Sequence, residues 1–137
     1  MAETLKLEVV TPLATILSED VEMVTLPGVD GQFGVYPQHV HLITQIVPGE
    51  MIVHRNGADT FFAIGEGLVE VTRDRVAIVT DMAIAADKID EARVEEARQR
   101  AAARLREKIS DEEVASVNAS MARSLAQLQV RRRKRRF

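Results

Sequence analysis

The chain has 137 residues, 46% of them hydrophobic, with 18 Lys and Arg against 21 Asp and Glu, a composition expected of a globular protein. Cysteine is absent, which excludes disulfides, zinc thiolate sites and thiol catalysis. No apolar run approaches the ~20 residues that span a bilayer, and the start MAETLKLEVV lacks the pattern of a secretory leader, so any membrane association is expected to be indirect, through a partner.

In chain order, the first part is written in short alternating segments. Leu5, Leu7 and Val9 alternate with Lys6 and Glu8, a period of two that predicts a half-buried strand. Val21 and Met23 alternate with Asp20 and Glu22, Met51 and Val53 belong to another short run, and Val69 and Val71 are followed by Val76 and Ile78 after a turn at Arg73-Asp74. Pro27-Gly28, Asp30-Gly31, Pro48-Gly49, Asn56-Gly57 and Gly65-Glu66-Gly67 punctuate these runs with turn chemistry, and Asn56-Gly57 is a hairpin signal. Many short strands with regular turns predict an antiparallel β-sandwich or barrel over residues 1–87.

After Asp87 the pattern changes. From Asp90 to Lys108 there is neither Gly nor Pro, and Val94, Ala97, Ala101, Leu105 and Ile109 recur at helical spacing. Ser110 reads as the cap of a second helix, with Glu113 completing a capping box, and Val114, Val117, Met121, Leu125 and Leu128 form its stripe. A short link around Ile109-Ser110 predicts an antiparallel helical hairpin over residues 88–137. The charge divides at the same place: residues 1–87 carry four Lys and Arg against thirteen Asp and Glu, residues 88–137 fourteen against eight. The two parts are therefore expected to meet different neighbours.

The first helical stripe is mostly alanine, and a buried methyl-sized group contributes only about 0.8 kcal/mol. Ordering costs roughly 1–2 kcal/mol per residue. The hairpin is therefore expected to be thinly held, with hinges near residues 85–90 and near Ile109-Ser110.

The segment Gly31-Gln32-Phe33-Gly34-Val35-Tyr36-Pro37-Gln38-His39, followed by Leu42 and Pro48-Gly49, resembles the N-terminal domain of the epsilon-subunit family of bacterial F-type ATP synthases. Phe62 to Val71, Val76 to Ala83, Ile89-Asp90-Glu91-Ala92-Arg93 and Ala126 to Val130 resemble further family segments in the same order, so the resemblance spans nearly the whole chain. It implies a sandwich of about ten strands in two sheets followed by two helices. It implies a non-catalytic rotor subunit whose sandwich binds the gamma subunit and the c-subunit ring at the cytoplasmic face of the bacterial inner membrane. It further implies that the helices can extend toward the catalytic alpha/beta head and hinder ATP hydrolysis.

On that resemblance Gly31, Gly34, Tyr36, Pro37, His39 and Leu42 form a loop facing the c-ring and gamma, although Gln32 stands where relatives carry an acid. The two glycines also have a local reading, a tight turn before Pro37. Asp90 and Arg93 match a motif that binds regulatory ATP in some members; Arg100 and Arg123 are assigned to the same side, and Val94 replaces the motif's alanine. The alternative for these residues is helix capping by Asp90 and a solvated arginine surface. No other cofactor is implied.

Arg131, Arg132, Arg133, Lys134, Arg135 and Arg136 read on their own as a solvated, self-repelling tail. In the family setting they are assigned an inhibitory contact with acidic segments of the head, one that weakens as salt rises. No metal site is expected from His39, His41 and His54 without cysteine, and no catalytic constellation is present: there is neither a phosphate-binding loop ending in Lys-Ser/Thr nor a nucleophile elbow. A basic-tailed nucleic-acid-binding module and a generic interaction domain are the alternatives. Against nucleic acid stand 4% aromatic residues and an acidic first part.

Overall fold

The computed structural model describes residues 3–135, with the side chains of Lys134 and Arg135 left out of the description. Ten strands come first: β1 (Leu5–Val10), β2 (Thr15–Val21), β3 (Met23–Gly28), β4 (Gly31–Val35), β5 (Leu42–Ile46), β6 (Gly49–Arg55), β7 (Ala58–Ile64), β8 (Gly67–Val71), β9 (Arg75–Thr80) and β10 (Ala83–Ala85). A single 3-10 turn (Ala86–Lys88) leads to α1 (Glu91–Leu105) and α2 (Asp111–Arg135).

The strands join in one continuous path, β10-β7-β6-β3-β5-β8-β9-β1-β2, with β4 added on β3. Between β3 and β5 the path narrows to one residue pair, Gly28 opposite Ile46. There the sheet folds over into two layers, β4-β3-β6-β7-β10 and β5-β8-β9-β1-β2, the predicted sandwich. Alternation places Leu5, Leu7 and Val9 of β1 inside, with Val24 and Leu26 of β3, Met51 and Val53 of β6, Val69 and Val71 of β8, and Val76 and Ile78 of β9. One pairing runs parallel, β1 beside β9, with Leu7 opposite Val76.

The run through Val21 and Met23 is not one strand. Val21 pairs with Leu5 in one layer, while Met23 pairs with His54 in the other, and the chain bends at Glu22. The bend inverts the alternation, so Val21 and Val24 are buried and Met23 is only half-buried. The Asn56-Gly57 hairpin forms as predicted, both residues at positive φ (53° and 75°) between Arg55 and Ala58.

Helix α1 stops at Leu105, three residues before the predicted end. The Arg106 and Glu107 N–H groups bond to Ala103 and Arg104 carbonyls at 3.1 and 3.2 Å, tightening the last turn to three-residue spacing. Ser110 caps α2 by accepting the Glu113 N–H at 3.2 Å. The Glu113 carboxylate does not close the expected reciprocal box. It accepts from the Ser110 hydroxyl at 3.5 Å and from Arg104 across the link at 2.5 Å.

Burial along α1 is thin, Ala101 being its one buried residue. In α2 it falls on Ser124, Ala126, Leu128 and Val130, and Leu125 of the predicted stripe is 48% exposed. The last turns of α2 lie between α1 and the sheet, so two faces of the helix are covered there, and a single stripe does not describe them.

Candidate functional site

Three surfaces carry the residues singled out by sequence. The first lies under the hairpin. On β6, Met51 and Val53 point inward, so Glu50 and Ile52 point outward, with Ala63 and Phe61 of β7 directly opposite them. Over this face α2 places Ala126 and Val130, which form with Ala63, Met82, Ala86 and Ile89 a small apolar cluster separate from the sandwich core.

Charge surrounds that cluster. Arg123 donates to Asp81 at 3.1 Å, and Gln127 donates to the Met82 sulfur at 3.2 Å. Arg131 donates to the Ala86 carbonyl at 3.4 Å, Arg132 to Glu91 at 2.8 Å and Glu95 at 3.5 Å, and Arg133 to Glu50. Arg131, Arg132 and Arg133, the first half of the basic run, are thus paired rather than free in this arrangement. The backbone of the run continues α2 through Arg135, where cations favour the negative end of the helix dipole, and its first three guanidiniums all meet acceptors. Arg136 lies outside the described residues. Glu50 is buried, which pushes its pKa above the ordinary carboxylate range, while the positive charge of Arg133 pulls it back.

The second surface is a cleft of ≈ 350 Å³ between the helices. Asp90, Arg93 and Arg100 line it from one face of α1, with Val94 and Ala97 between them. Asp90 also caps α1, accepting the Arg93 N–H at 3.2 Å, so the capping alternative holds for its carboxylate. Arg123, assigned to this side by sequence, is not among the lining residues and points to Asp81. Lys88, Ile84, Ser124 and Gln127 complete the cleft instead. Lys88 was legible as the cation two residues before Asp90; Ser124 and Gln127 became candidates only once α2 was seen against α1. Three cations facing one capping carboxylate make the cleft electropositive, and guanidinium forks at this spacing suit phosphate oxygens.

The third surface is the predicted loop of Gly31 to Leu42, which the structure divides. Gly31 (φ +118°) follows the Val29-Asp30 turn of the β3–β4 hairpin, and Gly34 lies within β4. Neither makes a turn before Pro37. A Cβ at Gly34 would sit 2.5 Å from the Met23 methyl, the movable end of a flexible side chain. Gly31 and Leu42 border one cleft with Phe33; Tyr36 and Pro37 border another with Met23 and His54. His39 bonds the neighbouring Val40 carbonyl at 2.7 Å and His41 meets Glu70 at 3.3 Å, so the two imidazoles engage different partners. Among the described residues no three His, Cys, Asp or Glu side chains cluster as metal ligands, and no helix is long and apolar enough to cross a membrane.

Sequence reasoning missed the outer face of the β5-β8-β9-β1 layer. Inward Val69 and Ile78 leave Leu68 and Val79 facing out, directly opposite each other. They are 58% and 62% exposed, with Ile43 of β5 at 63%. Leu68 and Val79 line a largely apolar groove of ≈ 660 Å³ with Val10, Thr11, Pro12, Gln45 and Asp81. Alternation places Leu68 and Val79 opposite the core side; what was not legible is that they stay exposed among the described residues.

Residues 4–86 match the family described as ATP synthase, Delta/Epsilon chain, beta-sandwich domain, and residues 87–131 match the long alpha-helix domain of the same chain. The ATP synthase epsilon chain of Herpetosiphon aurantiacus is 40% identical over 131 residues, covering 96% of both chains. Epsilon chain 2 of Syntrophotalea carbinolica is 44% identical over 132 residues, covering 95% of both. Among solved structures, a chain of the Euglena gracilis mitochondrial ATP synthase OSCP/F1/c-ring assembly superposes with a TM-score of 0.75 at 22% identity, over 92% of this chain and 79% of that one. A chain of the Tetrahymena thermophila mitochondrial central stalk and c-ring does so with a TM-score of 0.53 at 12% identity, over 61% and 68%. At these identities the two structures speak to the fold.

Proposed function

The chain belongs to the ATP synthase delta/epsilon family as an epsilon-type, non-catalytic subunit, and on that premise we propose that it couples gamma to the c-ring in the central stalk and restrains ATP hydrolysis with its helices. The observation that carries the reading is the division of the sandwich into two unlike outer faces. One is covered by α2. The other exposes Ile43, Leu68 and Val79 beside an apolar groove. Apolar side chains aligned on a rigid sheet suit a permanent subunit contact. The covered face suits a contact that can open, since a small separate cluster and the pairs Arg123–Asp81 and Arg133–Glu50 hold it.

In this reading the two clefts beside β4 and Tyr36 meet the c-ring, and the chain is held at the cytoplasmic face of the membrane through the assembled complex. The helices act as a barrier when they leave the sandwich and reach toward the alpha/beta head. Nucleotide enters as a regulator: Lys88, Arg93 and Arg100 take the phosphates of ATP in the interhelical cleft and favour the docked hairpin. For ligand or membrane energisation to choose between postures, the two must differ by only a few kcal/mol.

Co-purification tests the coupling role. The tagged chain is expected to retain gamma and the c-ring, and Leu68→Glu to lose gamma while its own unfolding free energy stays within about 0.5 kcal/mol of the parent. Deleting residues 88–137 is expected to raise ATPase turnover of the complex. Retention of gamma by Leu68→Glu would remove the groove from the interface, and unchanged turnover would remove the restraint.

A further inference from the structure

The groove on the uncovered layer has an apolar floor and an acidic end. Leu68 and Val79 face each other across the β8–β9 ladder, and Gly67 faces Thr80 one pair further on. The next pair in that register is Glu66 and Asp81, joined by the Asp81 N–H, which donates to the Glu66 carbonyl at 3.3 Å. Alternation brings these two residues to the same outer face, roughly 7 Å along from Leu68 and Val79, and both line the groove.

Two contacts fix this end. Thr80, 3% exposed, donates its hydroxyl to the Glu66 carbonyl at 2.9 Å. Asp81 lies against Gly65, where a Cβ would meet its Oδ1 at 1.8 Å, and its other oxygen accepts from Arg123 of α2 at 3.1 Å. Of the acids on this face, Glu70 meets His41 and Asp81 meets Arg123. Glu66 is exposed and has no ion pair among the described residues.

We infer that the groove seats an apolar ridge of a partner protein tipped by a Lys or Arg, that Glu66 receives this cation, and that Arg123 of the docked hairpin withholds Asp81 from it. This rests on the reading of the groove as the gamma contact and names the chemistry that gamma must present there. The physical argument is charge complementarity at one end of an apolar contact. Leucine and valine give adhesion with little direction. A carboxylate at the end supplies direction: it loses water as the groove closes, so a ridge that brings a cation is aligned and one that brings an acid is rejected.

Asp81 adds a dependence on posture. With the hairpin docked, Arg123 answers Asp81, and Glu66 is the available acid of the pair. With the hairpin away, the same end offers two carboxylates. The partner's cation is then held more firmly, and by reciprocity a seated cation weakens docking by the same factor. Arg123 and Asp81 are 35% and 34% exposed, which keeps that factor small.

Titration of the gamma subunit into the full chain, at low and high salt, is the test. Glu66→Gln is expected to weaken binding about three-fold and to flatten its salt dependence, and Glu66→Lys to weaken it at least about ten-fold. Arg123→Ala is expected to tighten binding about three-fold, a gain that disappears when Asp81→Asn is combined with it. Should Leu68→Glu lose gamma while both Glu66 variants bind as the parent does, the acidic end is overturned and the groove stands. Should Arg123→Ala leave binding unchanged, or tighten it equally beside Asp81→Asn, the sharing of Asp81 is overturned. Should Leu68→Glu retain gamma, the groove reading fails, and this inference with it.

Discussion

Asp81 holds Arg123 at 3.1 Å across 42 positions of sequence, and this pair draws toward the β9–β10 turn a cation that sequence reasoning assigned to the interhelical cleft. Asp81 also borders the apolar groove on the opposite layer, so one carboxylate touches both the hairpin and the surface proposed for gamma. The cleft keeps Lys88, Arg93 and Arg100 as its cations.

The consequence for nucleotide is a division among the arginines. Arg93→Ala and Arg100→Ala are each expected to weaken MgATP binding by roughly ten-fold, the loss of a charge-assisted phosphate contact. Arg123→Ala is expected to change it by less than about three-fold, because its guanidinium serves Asp81. Isothermal titration of the isolated chain measures all three. An effect of Arg123→Ala equal to that of Arg100→Ala would place Arg123 in the cleft when ligand is present.

The cap at Ser110 has a local and separable effect. Its hydroxyl accepts the Glu113 N–H, and Ser110→Ala is expected to destabilise the start of α2 by ~1 kcal/mol, with Ser110→Gly milder. Faster amide exchange at Glu113 and Val114, with unchanged protection in the strands, is the expected result. A uniform change along the whole chain would mean that hairpin and sandwich unfold as one unit.

Acid dependence follows from Glu50 and Glu95, which pull in opposite directions. Burial raises the Glu50 pKa, so its contribution to stability is fully present below the unfolded-state value and is lost as pH rises through the raised one. Arg133, the cation facing it, reduces that loss. The Arg98 hydrogen bond holds Glu95 below the ordinary range, so its contribution is present above the unfolded value and lost as pH falls. Glu50→Gln should therefore remove the decline in urea midpoint as pH rises above the ordinary carboxylate range while leaving the acid limb in place. Equal declines in the parent and Glu50→Gln would assign that slope to other groups.

What could be read early was local. The alternation of Leu5, Leu7 and Val9 is a property of adjacent residues, and so is the turn at Asn56-Gly57, since positive φ is cheap there. Ser110 can cap because its hydroxyl lies within reach of an N–H three residues on. Those features were enough for a sandwich or barrel of short strands followed by two helices. The bend at Glu22 was not legible, because an inverted alternation and a change of layer look like an unbroken strand when the neighbours are unknown. The end of α1 was misjudged for a similar reason: good helix formers run on past Leu105, and the tightened last turn depends on how the link closes against Glu113.

The candidate site divides along the same line. Asp90, Arg93 and Arg100 share a helical face by spacing alone, so their convergence on one cleft follows from a 3.6-residue turn. Residues brought together from distant parts of the chain had no such guide. Glu50 lies 83 positions from Arg133, and nothing near it in sequence says that α2 will cover it or that a guanidinium will answer it. The exposed pair Leu68 and Val79 reads locally like any strand, and only the packing shows that neither described helix lies over it. Sequence by itself determined the periodicities, turns, caps and charge division of this protein, because each arises within a few covalent bonds. Tertiary structure decided which acids meet which arginines and which apolar face stays open, because burial and long-range charge pairing exist only once distant segments share a surface.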